Sequence, residues 1–513
     1  MTVTTRERVE VESGTPRWAK VVDHEACIGC HACTTACKSE NEVPLGVTRT
    51  YVKYVDVGTF PEARRAFQVT RCNQCEDAPC TTACPTSAMY RRPDAIVDFD
   101  KSICIGCKAC MAACPYDAIF INPEDGAAEK CNFCAHRLDV GLEPACVVVC
   151  PSEAILVGDL DDPSSRVAQI VQRDVVAVRR PEKETRPKLF YRGAHQATLD
   201  PLAARRPEGG LFLWSQQQEG PGRVVSGHPG TPSSSAAALL SYDVAHTAPW
   251  DWRVSLYTLT KGIAAGVYLV ALLLVVLGLA APEGALWSWV APVAGGAFLA
   301  LTGGLLIWDL EHPERFYLIF TRPQWRSWLV RGAFVIAGYG LVLLVHVGMV
   351  AASRGDPLAV AWVGGPLAAM TAVYTAWLFA QAKARDLWQN PLLPPHLLVQ
   401  AALAGAATLA GAAALWEPTA LPGCLQVAAV AAAVHILLVL GEVTLPHGTA
   451  HAALATREMV AGRFKVWFWL GAVGVAAAVA APWLGVPAAL AGIAGLAAFE
   501  HAWVQAGQSV PLA

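Results

Sequence analysis

Eight apolar stretches follow one another in the second half of this chain, at roughly 254–280, 287–308, 329–352, 357–381, 396–416, 422–441, 466–483 and 485–505. Each approaches the ~20 residues that an α-helix needs to cross the hydrocarbon core of a bilayer. Trp250, Trp252, Trp325, Trp328, Trp388, Trp416 and Trp483 cluster at their ends, where rings sit at the headgroup level. A set of buried helices in a large soluble protein is the alternative, and eight in series argue against it. Composition agrees: 54% hydrophobic and 16% charged residues is too apolar for an ordinary soluble protein. A net charge of −3 gives no reason to expect a nucleic-acid partner.

The loops set an expected orientation. With an even number of crossings both termini share one side, and the connections there hold Arg253, Arg315, Arg322, Arg326, Arg331, Lys383, Arg385, Arg457, Arg463 and Lys465. The opposite loops contribute only Arg354. Positive charge collects on the cytoplasmic side of membrane helices, so the chain is predicted to be a multi-pass protein of the cytoplasmic membrane with its N-terminal domain and both termini inside. The N-terminus, MTVTTRERVEVES, has no apolar core of an export signal, which fits that expectation.

Cysteine divides the chain just as sharply. Sixteen of the 17 cysteines lie between Cys27 and Cys150, and Cys424 stands alone as a small packing residue in an apolar stretch. The first group is Cys27, Cys30, Cys33 and Cys37. The third, Cys104, Cys107, Cys110 and Cys114, repeats it, with Asp23 and Asp100 four residues upstream of their respective groups. The second runs Cys72, Cys75, Cys80, Cys84, and the fourth Cys131, Cys134, Cys146, Cys150 after a longer insert. Cys-x2-Cys-x2-Cys-x3-Cys-Pro is the bacterial ferredoxin run. Three thiolates in one tight loop cap three corners of a cubane, and the fourth, on the helix that follows, points to a different cluster. Four ligands each give four 4Fe–4S clusters with no cysteine left over. Zinc is the rival, since Cys-x2-Cys pairs also build tetrahedral sites, and a disulfide framework is disfavoured for a thiol-rich cytosolic domain. Lys38 follows Cys37 where the other groups have proline.

The expected organisation is a loose tail over 1–20, a cysteine domain over 21–175, a connector over 176–250 and the membrane domain over 251–513. Short β pieces are expected at Ala95–Phe99 and Ala154–Val157, and Asp162-Pro163 reads as the start of a helix through Ser164–Arg173. The connector is rich in Pro, Gly, Arg and Ser, as in PEKETRP, ARRPEGG and GTPSSS, so it is expected to lack a core of its own, although KLFYRGAHQATLDP is suited to local packing.

On its cysteine groups, residues 20–160 resemble the four-cluster iron–sulfur subunit of the molybdopterin oxidoreductase family, as in polysulfide, thiosulfate, dimethyl-sulfoxide and nitrite-reduction systems. The resemblance implies two tandem ferredoxin-like units that exchange their fourth ligands. One cluster then takes Cys27, Cys30, Cys33 and Cys150, and its neighbour Cys131, Cys134, Cys146 and Cys37. The inner pair takes Cys72, Cys75, Cys80 with Cys114, and Cys104, Cys107, Cys110 with Cys84. The fold class expected is an α+β tandem ferredoxin-like iron–sulfur domain followed by an all-α membrane bundle of about eight transmembrane helices.

The membrane half resembles the NrfD/polysulfide-reductase membrane subunit. The carrying residues are Trp250-Asp-Trp, Tyr257 and Gly262, then Asp309-Leu-Glu-His-Pro-Glu-Arg315-Phe, then Tyr374-Thr and Lys383-Ala-Arg-Asp-Leu-Trp388. The resemblance implies a quinone or quinol (menaquinone or ubiquinone) bound near the iron–sulfur part. Redox chemistry at two quinone oxygens needs groups that deliver or accept protons. Tyr257, Asp309, Glu311, His312, Arg315 and Tyr374 are the candidates, all near ends of the first, second and fourth spans. Tyr374 matches a tyrosine that hydrogen-bonds the quinone in the family, whereas Tyr257 stands where relatives have histidine. A charged turn at His312–Arg315 and an interfacial anchor at Tyr374 are the plainer alternatives.

Lys261, His346, His435, Glu442 and Glu500 fall within or beside apolar spans, where ionisable residues are costly and become functional candidates. The function expected is electron transfer and membrane anchoring: electrons pass between membrane quinone and a separate catalytic subunit through four clusters. That partner is implied because no Gly-x-Gly-x-x-Gly opens a βαβ unit and no domain has the size a molybdopterin site needs. By resemblance it is a molybdopterin enzyme, which would carry the substrate catalysis. The alternatives are a redox-driven proton-translocating module, and a cytochrome-like anchor with haem held by His346 and His435.

Overall fold

Alternation in WAKVVD makes Trp18–Asp23 the first strand of the computed structural model, so regular structure begins inside the stretch expected to be a tail. The structure describes residues 15–205, 237–353 and 355–513. The chain divides into two units, Met1–Thr247 with Pro511–Ala513, and Ala248–Val510.

In the first unit Trp18–Asp23 lies inside a four-stranded sheet ordered Ile155–Asp159, Trp18–Asp23, Leu189–Arg192, Val176–Ala177. It runs antiparallel to Ile155–Asp159 and parallel to Leu189–Arg192, with Lys20 opposite Leu189. Successive side chains point to opposite faces. Ala19 and Val21 therefore pack with Val167 and Ile170 of the helix Arg166–Arg173, while Val22, Leu189 and Tyr191 join Cys33 and Cys146 on the other face. A second sheet pairs Thr50–Val57 antiparallel with Arg64–Arg71 and with Leu239–Tyr242. Two hairpins complete the unit, Met89–Arg91 with Val97–Phe99 and Ile119–Ile121 with Ala128–Lys130.

The stretch expected to be a coreless connector contributes strands to both sheets. Leu189 and Tyr191 alternate with more exposed neighbours and are each 1% exposed, and Leu240 is buried with Val55 and Val57. Period-2 burial outweighs the surrounding Pro and Arg there. Most of ARRPEGG and all of GTPSSS fall within 206–236, outside the described residues, as do 1–14 and Arg354. The helix expected from Asp162-Pro163 begins at Arg166. Asp162 instead caps a turn, its carboxylate accepting from Ser164 N at 2.8 Å and Ser164 Oγ at 2.7 Å.

The second unit is helical. Among the described residues seven helices are long and apolar enough to cross a membrane: Trp252–Val276, Leu286–Trp308, Trp328–Ala351, Leu358–Gln381, Leu393–Trp416, Pro418–Thr444 and Val486–Gly507. The expected span at 466–483 is the helix Lys465–Val479, which follows Ala450–Val460 at a 72° bend and gives way to Ala481–Leu484, where Pro482 lacks an amide to continue the ladder. The first span is the most enclosed. It meets the fifth, Leu393–Trp416, at backbone contact, because a Cβ on Gly266 would strike the Ala401 carbonyl and one on Gly405 the Gly266 backbone. Small residues of this kind let membrane helices approach closely.

Candidate cluster sites and buried polar groups

The sequence repeat between the first and third cysteine groups is also a backbone repeat. Gly29 and Gly106 take φ of 70° and 68°, and His31 and Lys108 both take φ of 60°. These left-handed residues turn each loop sharply before the helices Ala32–Glu40 and Ala109–Ala113. Glycine adopts such a φ without the Cβ penalty. Cys37 lies on the first helix, and Cys114 caps the second.

Thiols from different groups converge. One cavity is rimmed by Cys104, Cys107 and Cys110 of the third group and Cys84 of the second. Another is rimmed by Cys72, Cys75 and Cys80 of the second group and Cys114 of the third. Asn41 Nδ2 stands 3.6 Å from Cys37 Sγ and 3.7 Å from Cys134 Sγ, which joins the first group to the fourth. Cys27 is an electrostatic neighbour of Cys150 as well as of Cys30.

These sites fit iron–sulfur cubanes better than single ions. All 17 cysteines are free thiols rather than disulfides, and among the described residues no three His, Cys, Asp or Glu side chains converge as one metal ion requires. Backbone amides point at the sulfurs: Met89 N at Cys84, Ala128 N at Cys104 and Ala154 N at Cys150, at 3.4, 3.4 and 3.2 Å. Amide donors of this sort stabilise thiolate ligands. Burial, reinforced by the neighbouring thiols, pushes the Cys37 thiol up to about 12, so such a thiol needs a cationic partner to ionise. Burial acts the same way on Cys146, yet Arg71 and Lys20 outweigh it and bring that thiol down to about 7. Neither cation carried a sequence signal, since each sits in a strand that reads as ordinary sheet.

The six residues singled out in the membrane half separate into two sets. Tyr257 and Tyr374 are each 3% exposed, and the Tyr257 side chain interacts with Tyr374, Thr375 and Asp309. Asp309, capping the second span, pairs with Arg253 at 3.5 Å. Arg253 also donates to the Trp308 carbonyl at 2.6 Å and is anchored by Asp251 at 2.8 Å. Glu311, His312 and Arg315 instead lie in the turn after that span, where His312 meets Glu314 at 3.0 Å and Arg315 meets it at 3.6 Å. Glu311 reaches Arg253 through its charge. Arg253, read from sequence only as a loop charge, is thus the common partner of both acids.

Deeper in the bundle, Lys261 Nζ donates to the Ala372 carbonyl and to Thr375 Oγ1, both at 2.7 Å, and lies 5.1 Å from the centre of the Tyr374 ring. Thr258 donates to Glu500 at 2.6 Å. A small cavity beside them is lined by Thr258, His396, Gln400, Phe499, Glu500 and Trp503 among others. His396 Nε2 meets His435 Nδ1 at 2.8 Å, and Trp503 donates to Glu442 at 3.0 Å. His346 has different neighbours, its ring 4.8 Å from Trp287 and 5.8 Å from Tyr268. His396 and Gln400 were missed in the sequence because Pro and apolar residues surround them. Their four-residue spacing on one helix face was the available signal.

Comparison with known proteins gives two family matches. Residues 64–160 match the 4Fe-4S dicluster domain, and residues 242–504 match the family described as polysulphide reductase, NrfD. The chain is 43% identical over 213 residues to a subunit of the tetrathionate reductase of Salmonella typhimurium, covering 40% of this chain and 84% of that one. It is 36% identical over 223 residues to the arsenate respiratory reductase iron-sulfur subunit ArrB of a Shewanella species, covering 34% and 95%. It is 41% identical over 177 residues to a component of the polysulfide reductase of Wolinella succinogenes, covering 34% and 93%.

Proposed function

This chain belongs to the polysulphide reductase NrfD family, joined in one polypeptide to a 4Fe–4S electron-transfer unit, and we propose that it carries electrons between membrane quinone and a separate catalytic subunit through four 4Fe–4S clusters. The observation that supports this most is the exchange of cysteines between groups, with Cys84 among Cys104, Cys107 and Cys110, and Cys114 among Cys72, Cys75 and Cys80. A tandem arrangement of cubanes accounts for this exchange, because each helix cysteine points away from its own loop. The outer pair is assigned in the same way, Cys27, Cys30, Cys33 with Cys150 and Cys131, Cys134, Cys146 with Cys37.

The clusters supply one-electron storage, and the chain's own residues hold and insulate them. In the membrane unit Tyr257 and Tyr374 offer hydroxyls for quinone oxygens, and Asp309, balanced by Arg253, offers a carboxylate that takes or returns a proton. Glu311, His312 and Arg315 form the polar turn beside them. The catalytic partner is proposed as a molybdopterin enzyme for an oxyanion or sulfur compound, in keeping with relatives named for tetrathionate, arsenate and polysulfide reduction. The ten-to-one excess of Lys and Arg in alternate loops supports a cytoplasmic iron–sulfur unit.

The test is anaerobic purification of the full chain followed by metal analysis and stopped-flow reduction with a quinol. About sixteen irons per chain and cluster bleaching by quinol are expected. Zinc in place of iron, or clusters that neither take electrons from quinol nor give them to quinone, sinks the proposal. A second reading, redox-driven proton movement, draws on the Lys261–Thr375, Thr258–Glu500 and His396–His435 contacts inside the bundle. Quinone-coupled pH changes in proteoliposomes that vanish in His435→Phe, with electron transfer retained, would favour it.

A further inference from the structure

Burying a guanidinium is costly unless an opposite charge and hydrogen-bond acceptors meet it. Arg71, at the end of the strand Arg64–Arg71, is 2% exposed. Among the described residues it forms no ion pair with a carboxylate, and its Nε and Nη2 atoms are buried without a hydrogen-bond partner. Its one side-chain acceptor among the described residues is Cys146 Sγ, 3.0 Å from Nη1. The other charges it feels are thiols on both sides, Cys33 from the first group and Cys131 from the fourth, and its charge reaches Cys27 and Cys37 as well. The guanidinium therefore neighbours two cysteine groups and keeps two buried donors unused. Lys20, 0% exposed, approaches Cys146 separately: Nζ is 3.7 Å from Sγ and 4.1 Å from the Phe133 ring centre.

We propose that Arg71 is a shared tuning residue for two of the four clusters. Its spare donors bond sulfurs of the cluster on Cys27, Cys30, Cys33 and Cys150 and of the cluster on Cys131, Cys134, Cys146 and Cys37, raising both reduction potentials, while Lys20 raises only the second. The inference rests on the four-cluster reading above. The physical cause is charge: each electron accepted adds one negative charge to a group already held by thiolates, and a fixed buried cation or a donor to sulfur favours that state. Arg71 holds the two clusters of the outer pair to a common setting, so a change at one position moves both.

The experiment is a redox titration of the full chain in detergent, followed by electron paramagnetic resonance, with iron measured on each sample. In Arg71→Gln two of the four midpoint potentials are expected to fall and two to stay. Arg71→Lys, which keeps charge but loses the fork, lowers the same two by less. Lys20→Met lowers only one, and it is one of those two. Unchanged potentials in Arg71→Gln at full iron content overturn the proposal, as does a fall spread evenly over all four. If Arg71→Gln loses iron, Arg71→Lys and Lys20→Met decide by the same pattern, and loss of clusters in all three variants makes these residues structural only and overturns it too. A wild-type protein with zinc or far less iron fails the four-cluster reading instead, and that failure is visible before any variant is titrated.

Discussion

Lys261 Nζ, 1% exposed as a residue, donates to Thr375 Oγ1 across the first and fourth spans at 2.7 Å. The opposite charge acting on it is Glu500 from the last span, which Thr258 holds at 2.6 Å. Two buried charges of opposite sign are each expensive alone and tolerable together.

That balance gives the first prediction. Lys261→Met and Glu500→Gln should each destabilise the detergent-solubilised protein by about 3–5 kcal/mol. The double variant should recover more than half of either loss, read as thermal unfolding midpoint. A double variant no more stable than the worse single one means that the two charges are independent.

Gly332 lies against the Tyr374 ring, in the space a Cβ would need. Gly332→Ala is expected to cost about 1–3 kcal/mol through overpacking and to push that ring aside. Quinol-driven cluster reduction should drop at least tenfold by stopped flow, with iron content unchanged, and Tyr374→Phe should drop it less. A wild-type rate in Gly332→Ala would remove Tyr374 from the quinone site.

Cysteine exchange is open to direct test. Cys84→Ser should remove or alter the same cluster signal as Cys104→Ser, and Cys114→Ser the same one as Cys72→Ser, each with loss of up to about a quarter of the iron. If Cys84→Ser instead matches Cys72→Ser in its spectrum, each group keeps its own fourth ligand.

His246 sits between two carboxylates, 2.5 Å from Asp117 and 3.2 Å from Asp243. Burial works against its charge, but Asp243 and Asp117 outweigh that and hold the imidazolium up to about 10, against 6.5 in the open. A raised folded value stabilises fully below the unfolded value and is lost as pH climbs through the folded one. The cysteine unit should therefore be most stable below pH 6.5 on this account and weaken between pH 6.5 and about 10. Burial tends to raise the Asp243 carboxyl, while His246 outweighs it and keeps it below its ordinary 3.8, so this part of the stabilisation fades only at strong acidity. His246→Leu should cost about 3–5 kcal/mol at pH 6 and flatten the alkaline slope of the unfolding midpoint. An unchanged slope would mean that the histidine is neutral.

Cysteine spacing and the apolar runs were enough to specify an iron–sulfur unit, its place ahead of a helical one, and 7 of the membrane-length helices. Those features are local: a loop of three thiols and a stretch of apolar residues carry their meaning in the chain itself. Leu189–Arg192 was hidden because its strand exists only beside Trp18–Asp23, far away in sequence. Arg71, Lys20 and Arg253 were hidden for the same reason. A lone cation in a strand or loop has no period, and only the folding of distant segments decides whether it meets solvent, a carboxylate or a cage of sulfur.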